Sequence, residues 1–593
     1  MGKAAPDRGP RVLTALACVV VSLVTACAIV PDDGRRVTSA RIARNGNEQS
    51  ALVQLIPPEP QRGWSPGLIV SGFLLASGSF AGNHAIAREY LTPSAARSWR
   101  PGSAVAEFAD TPTATTSTVR QNSVTFQVNG RFLGTISEDG QYQAAEQGAS
   151  RRGWGFTVVR VRGQWRIANP PEELLLSRRD VDRTFRSRDL YFFDPSMSVL
   201  VPDPVHVPAE VTSADLVTHL VQALRQGPQG WLEVGTRTAF PPGTRVLGTS
   251  VDGSTAIVNL GGRAAVAGSQ QRDQMATQLL QTLASSSAFP APDVPSIQSV
   301  VFEINGRPVH VSCATGRPPT LQLTPACSGP VPPSPGSRVY YIDSRGRVAT
   351  LFGARLDSPA PGPAGSGRQL FDEIAVSPDQ MSVAGASGGV LYTGSLTLTG
   401  SLVRRLTATS LTTLSWDSAG WLWAAGRRGG RARVWRLGPS SNPVEVRLPY
   451  GFGPVTAMRV APDGVRVAMI TGSGPRSRLW LAAIDRGGKQ LAIGPQVPIG
   501  TDISGFSDLT WYDTGDVIVL TRPSSGAVLY EVPVDGGQSR PIATDAGTVS
   551  ITASSGGKLV ALRDDGTLIQ LPNPSGSIWK PPGARGRSPV YPG

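Results

Sequence analysis

The sequence is poor in the side chains that carry out most enzymatic chemistry. Its 593 residues hold four histidines (His84, His206, His219 and His310) and four cysteines (Cys18, Cys27, Cys313 and Cys327). From residue 336 onward there is neither. HExxH, the Walker A loop and GxGxxG are all missing, so zinc, nucleotide and dinucleotide chemistry lack support, and no cofactor is expected. Lysine is scarce too: Lys3, Lys489, Lys558 and Lys580 stand against 52 arginines. Nucleic-acid binders usually mix the two, because lysine serves phosphates well as a point charge. The net charge of +13 is therefore read as G+C-rich codon usage rather than a nucleic-acid footprint. A basic surface turned to an anionic membrane or an acidic partner is the alternative.

Aromatics make up only 6% and charged residues 17%, yet hydrophobic residues reach 40%, which excludes a wholly disordered chain. The 67 glycines and 51 prolines exclude an all-helical bundle and favour short strands joined by tight turns. At ~100–200 residues per domain, the length suggests three or four domains.

The amino terminus reads as an address. Lys3, Arg8 and Arg11 precede an uncharged run, VLTALACVVVSLVTA, over 12–26. This is the form of a secretory signal, and it is short for a spanning helix, which needs ~20 residues. The run ends Leu23-Val24-Thr25-Ala26-Cys27, which resembles the lipobox of bacterial lipoproteins. The resemblance implies a signal peptide over 1–26 and lipidation of Cys27, with acyl chains such as palmitate. An ordinary signal with Cys27 incidental is the alternative. At ~0.8 kcal/mol per buried methylene, two or three acyl chains hold a protein on a membrane essentially permanently. Residues 27–64 follow as lipidated cysteine and flexible tether.

Residues 65–176 form an α+β domain. Ser65-Pro66 starts a helix with Ile69, Phe73 and Leu74 on one face, a second helix covers 85–91, and strands follow at 124–128, 132–136, 156–161 and 165–167. By analogy this domain is similar to the cone of nuclear transport factor 2. Residues 177–188, with five arginines, read as a charged linker or a solvated helix. A second α+β unit occupies 189–311, with strands at 190–193, 199–207, 246–251, 256–260 and 300–304 and helices at 213–226 and 270–284. Its stretches Leu190-Tyr191-Phe192-Phe193-Asp194, Leu224-Arg225-Gln226-Gly227-Pro228, Thr238-Ala239-Phe240-Pro241-Pro242-Gly243-Thr244 and Val258-Asn259-Leu260 resemble the GerMN domain of spore-germination proteins. These motifs read as scaffold rather than as a catalytic site. Residues 312–337 form a proline-rich linker containing Cys313 and Cys327. Their spacing and an export compartment favour a disulfide worth ~3 kcal/mol, since no CxxC supports zinc.

Beyond the linker lies an internal repeat. Each copy is a strand, a Pro-Asp-Gly-like turn and a second apolar strand, and its last alanine or valine recurs at 384, 424, 468, 519 and 561. Four short strands every ~40–50 residues mark a β-propeller blade. Residues 338–580 are assigned to five or six blades, with a long sandwich as the competing fold and 581–593 as a tail. The hairpin at 339–342 and 348–351 stands ready to complete a blade with strands from the far end.

No catalytic constellation emerges, and the chain is not expected to be an enzyme. Gly385-Ala386-Ser387-Gly388-Gly389 matches GxSxG, but no histidine follows Ser387 to serve it. Two SxxK matches, starting at Ser555 and Ser577, read as chance. The turn residues Asp379, Asp463 and Asp513 read as partners of their own turn backbone. The adjacent carboxylates Asp32-Asp33, Glu172-Glu173, Asp372-Glu373 and Asp564-Asp565 read as solvated. One charge cluster stands out: Arg404, Arg405, Arg427, Arg428, Arg431, Arg433, Arg436 and Arg447, interleaved with Trp416, Trp421, Trp423 and Trp435. A binding face built on Arg427, Arg428, Arg431, Arg433 and Trp435 is one reading. Tryptophans packed between blades under solvated arginines is the other.

Taken in order, lipobox, α+β domain, GerMN-like domain and propeller resemble the LpqB family of actinobacterial lipoproteins over essentially the full chain. The segment Ala87-Arg-Glu-Tyr-Leu-Thr-Pro-Ser-Ala-Ala-Arg-Ser-Trp-Arg-Pro101 is especially similar to that family. The resemblance implies an accessory lipoprotein anchored on the extracytoplasmic face of the cell membrane. It also implies that this lipoprotein contacts the sensor histidine kinase MtrB of the MtrA–MtrB two-component system and so affects cell-wall metabolism and division. An envelope glycan- or lipid-binding lipoprotein is the alternative.

Overall fold

The computed structural model describes Gly2 and residues 57–145, 152–209, 212–228, 230–285, 296–327, 338–352, 355–397, 399–524, 526–554, 557–571, 579–580 and 584–593. Cys27 and the signal segment lie outside the described residues. Everything below concerns the unit Leu52–Gly593.

The first domain is built where helix start and apolar spacing coincide. Ser65 caps the helix Pro66–Ser77, accepting from the Leu68 N–H, and Ile69, Val70, Phe73 and Leu74 turn inward. Short helices Ala85–Glu89 and Pro93–Ser98 follow, the second capped by Thr92. Eight strands divide between two four-stranded sheets. One orders Tyr142–Ala144, Phe132–Ser137, Ala104–Phe108 and Leu174–Ser177. The other orders Thr113–Arg120, Ser123–Gly130, Arg152–Val161 and Gln164–Ile167. Trp99, Phe108, Phe126 and Phe156 fill the core between sheets and helices.

Of the two readings of 177–188, helix rather than linker holds for Arg178–Thr184. Ser177 caps the helix Arg178–Thr184, and residues from Phe185 begin the strand Phe185–Phe193. Two of its arginines are paired rather than solvated: Arg183 with Asp180 at 2.9 Å, and Arg178 with Glu107 at 2.9 Å.

In the second domain Phe185–Phe193 pairs with Leu200–Pro208, and Thr244–Asp252, Thr255–Gly262 and Ser299–Ile304 form the main sheet, the last two parallel. Helices Ser213–Gln226 and Ser269–Ser285 cover it with Leu220, Leu224, Met275 and Leu279. The four motifs are structural parts. Asp194 accepts from the Ser196, Ser198 and Val199 N–H groups and so closes the hairpin. Gly227, at φ +92°, ends the first helix. Ala239 donates to the buried Gln278 at 2.8 Å, and Thr244 closes the Pro-Pro-Gly turn on Pro241. Val258 and Leu260 are buried, while Asn259 accepts from Gly306. The supposed linker also belongs here as far as Cys327. Leu321–Gln322 pairs with Ser299–Ile304, and Cys327 is buried in this core, bonded to Cys313 with the two Cα atoms 5.2 Å apart.

The repeat region is a ring of six sheets. Blade II runs from Glu373 to Thr407, III from Ser410 to Val446, IV from Val455 to Ile499 and V from Phe506 to Thr544. Blade VI holds Thr548–Ala553, Leu559–Arg563 and Leu568–Leu571, the last bridged to Lys580 through Gln570. Blade I takes three strands from Val339–Asp343, Val348–Phe352 and Arg355–Pro359, and its innermost strand from Gly586–Val590. The expected tail at 581–593 is therefore the piece that closes the ring. Its sequence carries no Pro-Asp-Gly turn and no second strand, so it has no repeat to betray it.

Innermost strands have a free edge towards the channel, and an unpaired N–H there costs ~1–3 kcal/mol when buried. Side chains of the preceding blade supply the acceptors. Ile374 N–H donates to Ser588 (3.0 Å), Leu414 to Glu373 (3.0 Å) and Val460 to Ser415 (3.1 Å). Ile551 donates to Asp508 (2.9 Å), Ala553 to Thr510 (3.1 Å) and Tyr591 to Thr552 (3.1 Å). Between blades IV and V the Trp511 indole N–H donates to the Arg459 carbonyl at 3.0 Å.

The three domains meet along blades IV and V. Val201 and Leu232 pack on Val465 and Ala483, and Arg178 lies 3.8 Å from Asp502. Gly536 is required at this seam, because a Cβ there would lie 2.0 Å from the Tyr142 ring. Burial pushes Asp203 up to about 7 and Asp189 up to about 6, with the buried Arg466 guanidinium opposing both.

Deleting 584–593 is expected to abolish the cooperative thermal transition of the propeller, because blade I loses its inner strand and two inter-blade bonds lose a partner. Circular dichroism melts of the full and shortened chains check this. A shortened chain melting within about 2 °C of the full one would contradict it.

Candidate binding surface

The arginine–tryptophan cluster separates into an interior and a rim. Trp423 and Trp435 are fully buried between blades, Trp416 nearly so, and Trp421 is part-buried. The Trp423 indole donates to Asp417, which also receives Arg486 at 2.9 Å. Trp435 therefore drops out of any surface, and Arg428, though exposed, is tied down beside it and does not line the groove. Arg428 lies 5.1 Å from the Trp435 ring centroid and donates to the Thr407 carbonyl. Arg436 stacks 4.1 Å from the Trp421 ring. Arg405 clamps the carbonyls of Gly438, Pro439 and Ser441.

Arg404 of blade II donates to the Thr407 hydroxyl, and the others line one groove at the outer edge of blade III: Arg427, Arg431, Arg433 and Arg447, with Tyr450, Leu448 and Phe452. Strands Leu422–Arg428 and Arg431–Leu437 turn at Gly429-Gly430, both at positive φ (58° and 76°), and this sets Arg427 and Arg431 on the groove wall. Arg447 is pinned where blade III meets blade IV, since its N–H donates to Leu491 and its carbonyl accepts from Ile493. Arg433 pairs with Glu445 at 2.8 Å. Arg447 and Tyr450 were the less conspicuous members by sequence. Tyr450 stands on a turn with no periodic pattern to flag it.

A second concavity lies at one mouth of the propeller channel. Trp416, Trp511, Tyr512, Arg459, Pro378 and Pro462 line it, together with the chain's own Tyr591, Pro592 and Gly593. Gly593 donates to the Val376 carbonyl at 3.0 Å, so these last residues sit in the mouth. Glu373, read from sequence as solvated, instead faces into the channel. Burial pushes its carboxyl up to about 7; Arg459 and the Leu414 N–H oppose that rise and Asp508 adds to it.

The residues weighed for catalysis are not brought together. Ser387 ends a strand before the Gly388-Gly389 turn, and Gly388 donates to Asp372. His84 lies between the Phe80 and Trp99 rings in the first domain, and burial lowers it to about 4. Asp379, Asp463 and Asp513 each accept from backbone N–H groups of their own turns. Among the described residues no cluster of His, Cys, Asp and Glu is arranged to hold a metal, and no helix is long and apolar enough to cross a membrane. Ser555 and Ser577 lie outside the described residues, as does the lipidation site Cys27.

Fold and surfaces together define a three-module chain with a spore-germination-type domain and a propeller. Residues 59–182 match the family described as "Lipoprotein LpqB, N-terminal domain", 189–310 "Sporulation and spore germination", and 346–592 "Lipoprotein LpqB beta-propeller domain". Lipoprotein LpqB of Thermobifida fusca is 32% identical, with 97% of this chain and 98% of that one aligned. The proteins of the same name from Streptomyces avermitilis and Streptomyces coelicolor are each 30% identical, covering 96% and 99% of this chain and 96% and 98% of theirs. The chain belongs to the LpqB family of lipoproteins, and membership in that family implies a membrane anchor.

Glu373 gives a pH prediction. Its folded value, about 7, lies above the ordinary 4.5, so folding favours the protonated form. The stabilisation is complete below about 4.5 and is lost as pH rises through 7. Glu373→Gln keeps an acceptor for the Leu414 N–H and removes the titration. Its melting temperature is expected to depend less on pH between 5 and 8 than that of the parent. Parallel profiles in thermal melts would contradict the assignment.

Proposed function

We propose that this protein is a non-enzymatic accessory lipoprotein, held by Cys27 on the extracytoplasmic face of the cell membrane. In this reading it contacts the extracytoplasmic part of the MtrB sensor histidine kinase. It thereby biases phosphorylation of the response regulator, and with it cell-wall metabolism and division. Family membership supports the lipoprotein half of this reading. The observation that carries the rest is how the chain's polar side chains are used. Asp194 and Asp463 close turns, Thr92 and Ser177 cap helices, and Glu373, Asp508 and Thr510 join blades, which favours a reading through surfaces.

Mechanically, a lipid anchor confines encounters to the membrane plane and raises the effective concentration of a membrane-borne partner. Docking that favours one state of the kinase then shifts its population by the differential affinity alone. The domain seam along blades IV and V keeps the modules in fixed relation, so a contact on one is felt by a body of three.

Crosslinking in intact membranes followed by mass spectrometry tests this. Peptides from the sensor kinase's extracytoplasmic part are expected among the crosslinked products, and Cys27→Ser is expected to release the protein from the membrane and abolish them. Repeated absence of kinase peptides, with the protein itself fully recovered in the membrane fraction, would contradict the reading.

A further inference from the structure

We propose that the blade III groove binds a phosphate-bearing glycan, with Arg427, Arg431 and Arg447 holding the phosphate groups and Tyr450 packing on a sugar ring. Three observations converge on this. The first is uncompensated charge. Glu445 is the only acid lining the groove, and Arg433 neutralises it at 2.8 Å. Arg427, Arg431 and Arg447 are exposed and have no carboxylate partner among the described residues. Neighbouring arginines have partners of their own: Arg428 and Arg436 in the same sheet lie over indoles, and Arg405 of blade II holds three carbonyls. Gathering three like charges in one groove costs Coulomb energy that the fold does not recover.

The second observation is preorganisation. The Gly429-Gly430 turn and the inter-blade hydrogen bonds of Arg447 fix the backbones from which these side chains reach. Less ordering is then needed on binding. Planar guanidinium groups match phosphate oxygens two at a time.

The third is Tyr450. It is more exposed than any other large hydrophobic side chain of the described residues, at 108% of its reference area, and it stands on the groove rim beside Pro449. A ring held in water at the edge of a cationic groove offers a flat apolar face next to anion-binding groups. A sugar phosphate presents the complementary pair, the C–H face of a pyranose and a phosphate. The concave shape separates this ligand from a flat bilayer, whose headgroups would meet the rim before the wall. The proposal concerns a different ligand from the kinase contact, and neither depends on the other.

The test uses the full lipidated chain held in phosphatidylcholine nanodiscs free of detergent and fluorescently labelled phosphorylated dextran oligomers, read by anisotropy at physiological salt. Neutral dextran of the same length, polyglutamate, and phosphatidylglycerol vesicles serve as competitors. The parent is expected to bind phosphorylated dextran at least tenfold more tightly than either neutral dextran or polyglutamate, and the vesicles are expected not to displace it. Arg427→Glu, Arg431→Glu and Arg447→Glu together are expected to weaken binding tenfold or more, and Tyr450→Ala several-fold. A charge-matched control carrying Arg345→Glu, Arg368→Glu and Arg476→Glu, all exposed elsewhere on the propeller, should bind like the parent. Circular dichroism melts of all variants establish that each is folded. Equal loss in the control, tighter binding of polyglutamate, displacement by vesicles, or undiminished binding by the groove variants would each overturn the proposal.

Discussion

A closed ring of sheets leaves each innermost strand with one edge paired inside its blade and the other facing the next blade across the channel. The N–H groups on that second edge have no ladder to join, and the architecture stands only if something else receives them. In this propeller the acceptors are side chains at corresponding places on the inner strands: Ser588, Glu373, Ser415, Asp508, Thr510 and Thr552. Blade packing then follows. Trp416, Trp423, Trp435 and Trp511 fill the wedges between sheets whose spacing those bonds set. The outer edge of blade III, with its arginine groove, is held in register by the same closure.

Much of this was legible in the sequence, and the exceptions have physical causes. Both helices of the second domain and most of its strands follow from hydrophobic spacing, because one face of each packs against a single core. The propeller was visible because every blade repeats the same strand–turn–strand problem. Gly586–Val590 was not, since one inner strand lent to the first blade repeats nothing. What charge hid in the helix Arg178–Thr184 was its pairing: Arg178 looks solvated until Glu107 and Asp502 are brought up by distant parts of the chain.

The binding face shows the same division. Sequence placed Arg427, Arg431 and Arg433 in one cluster but could not tell which of the neighbouring tryptophans faced water. Alternation along Arg431–Leu437 puts Trp435 on the same side as Arg431 and Arg433, yet the wedge between blades buries its ring while the strand's other end reaches solvent. Glu373 misled in the opposite sense. An acidic pair beside a strand looks solvated, but the ring turns one member into the channel, where it serves Leu414.

Hydrogen exchange at single-residue resolution tests the closure most directly. The amides of Ile374, Leu414, Val460, Ile551 and Ala553 are predicted to exchange as slowly as ladder amides in the middle of their own blades. Exchange of these five at the rate of free, solvent-facing strand edges would contradict it.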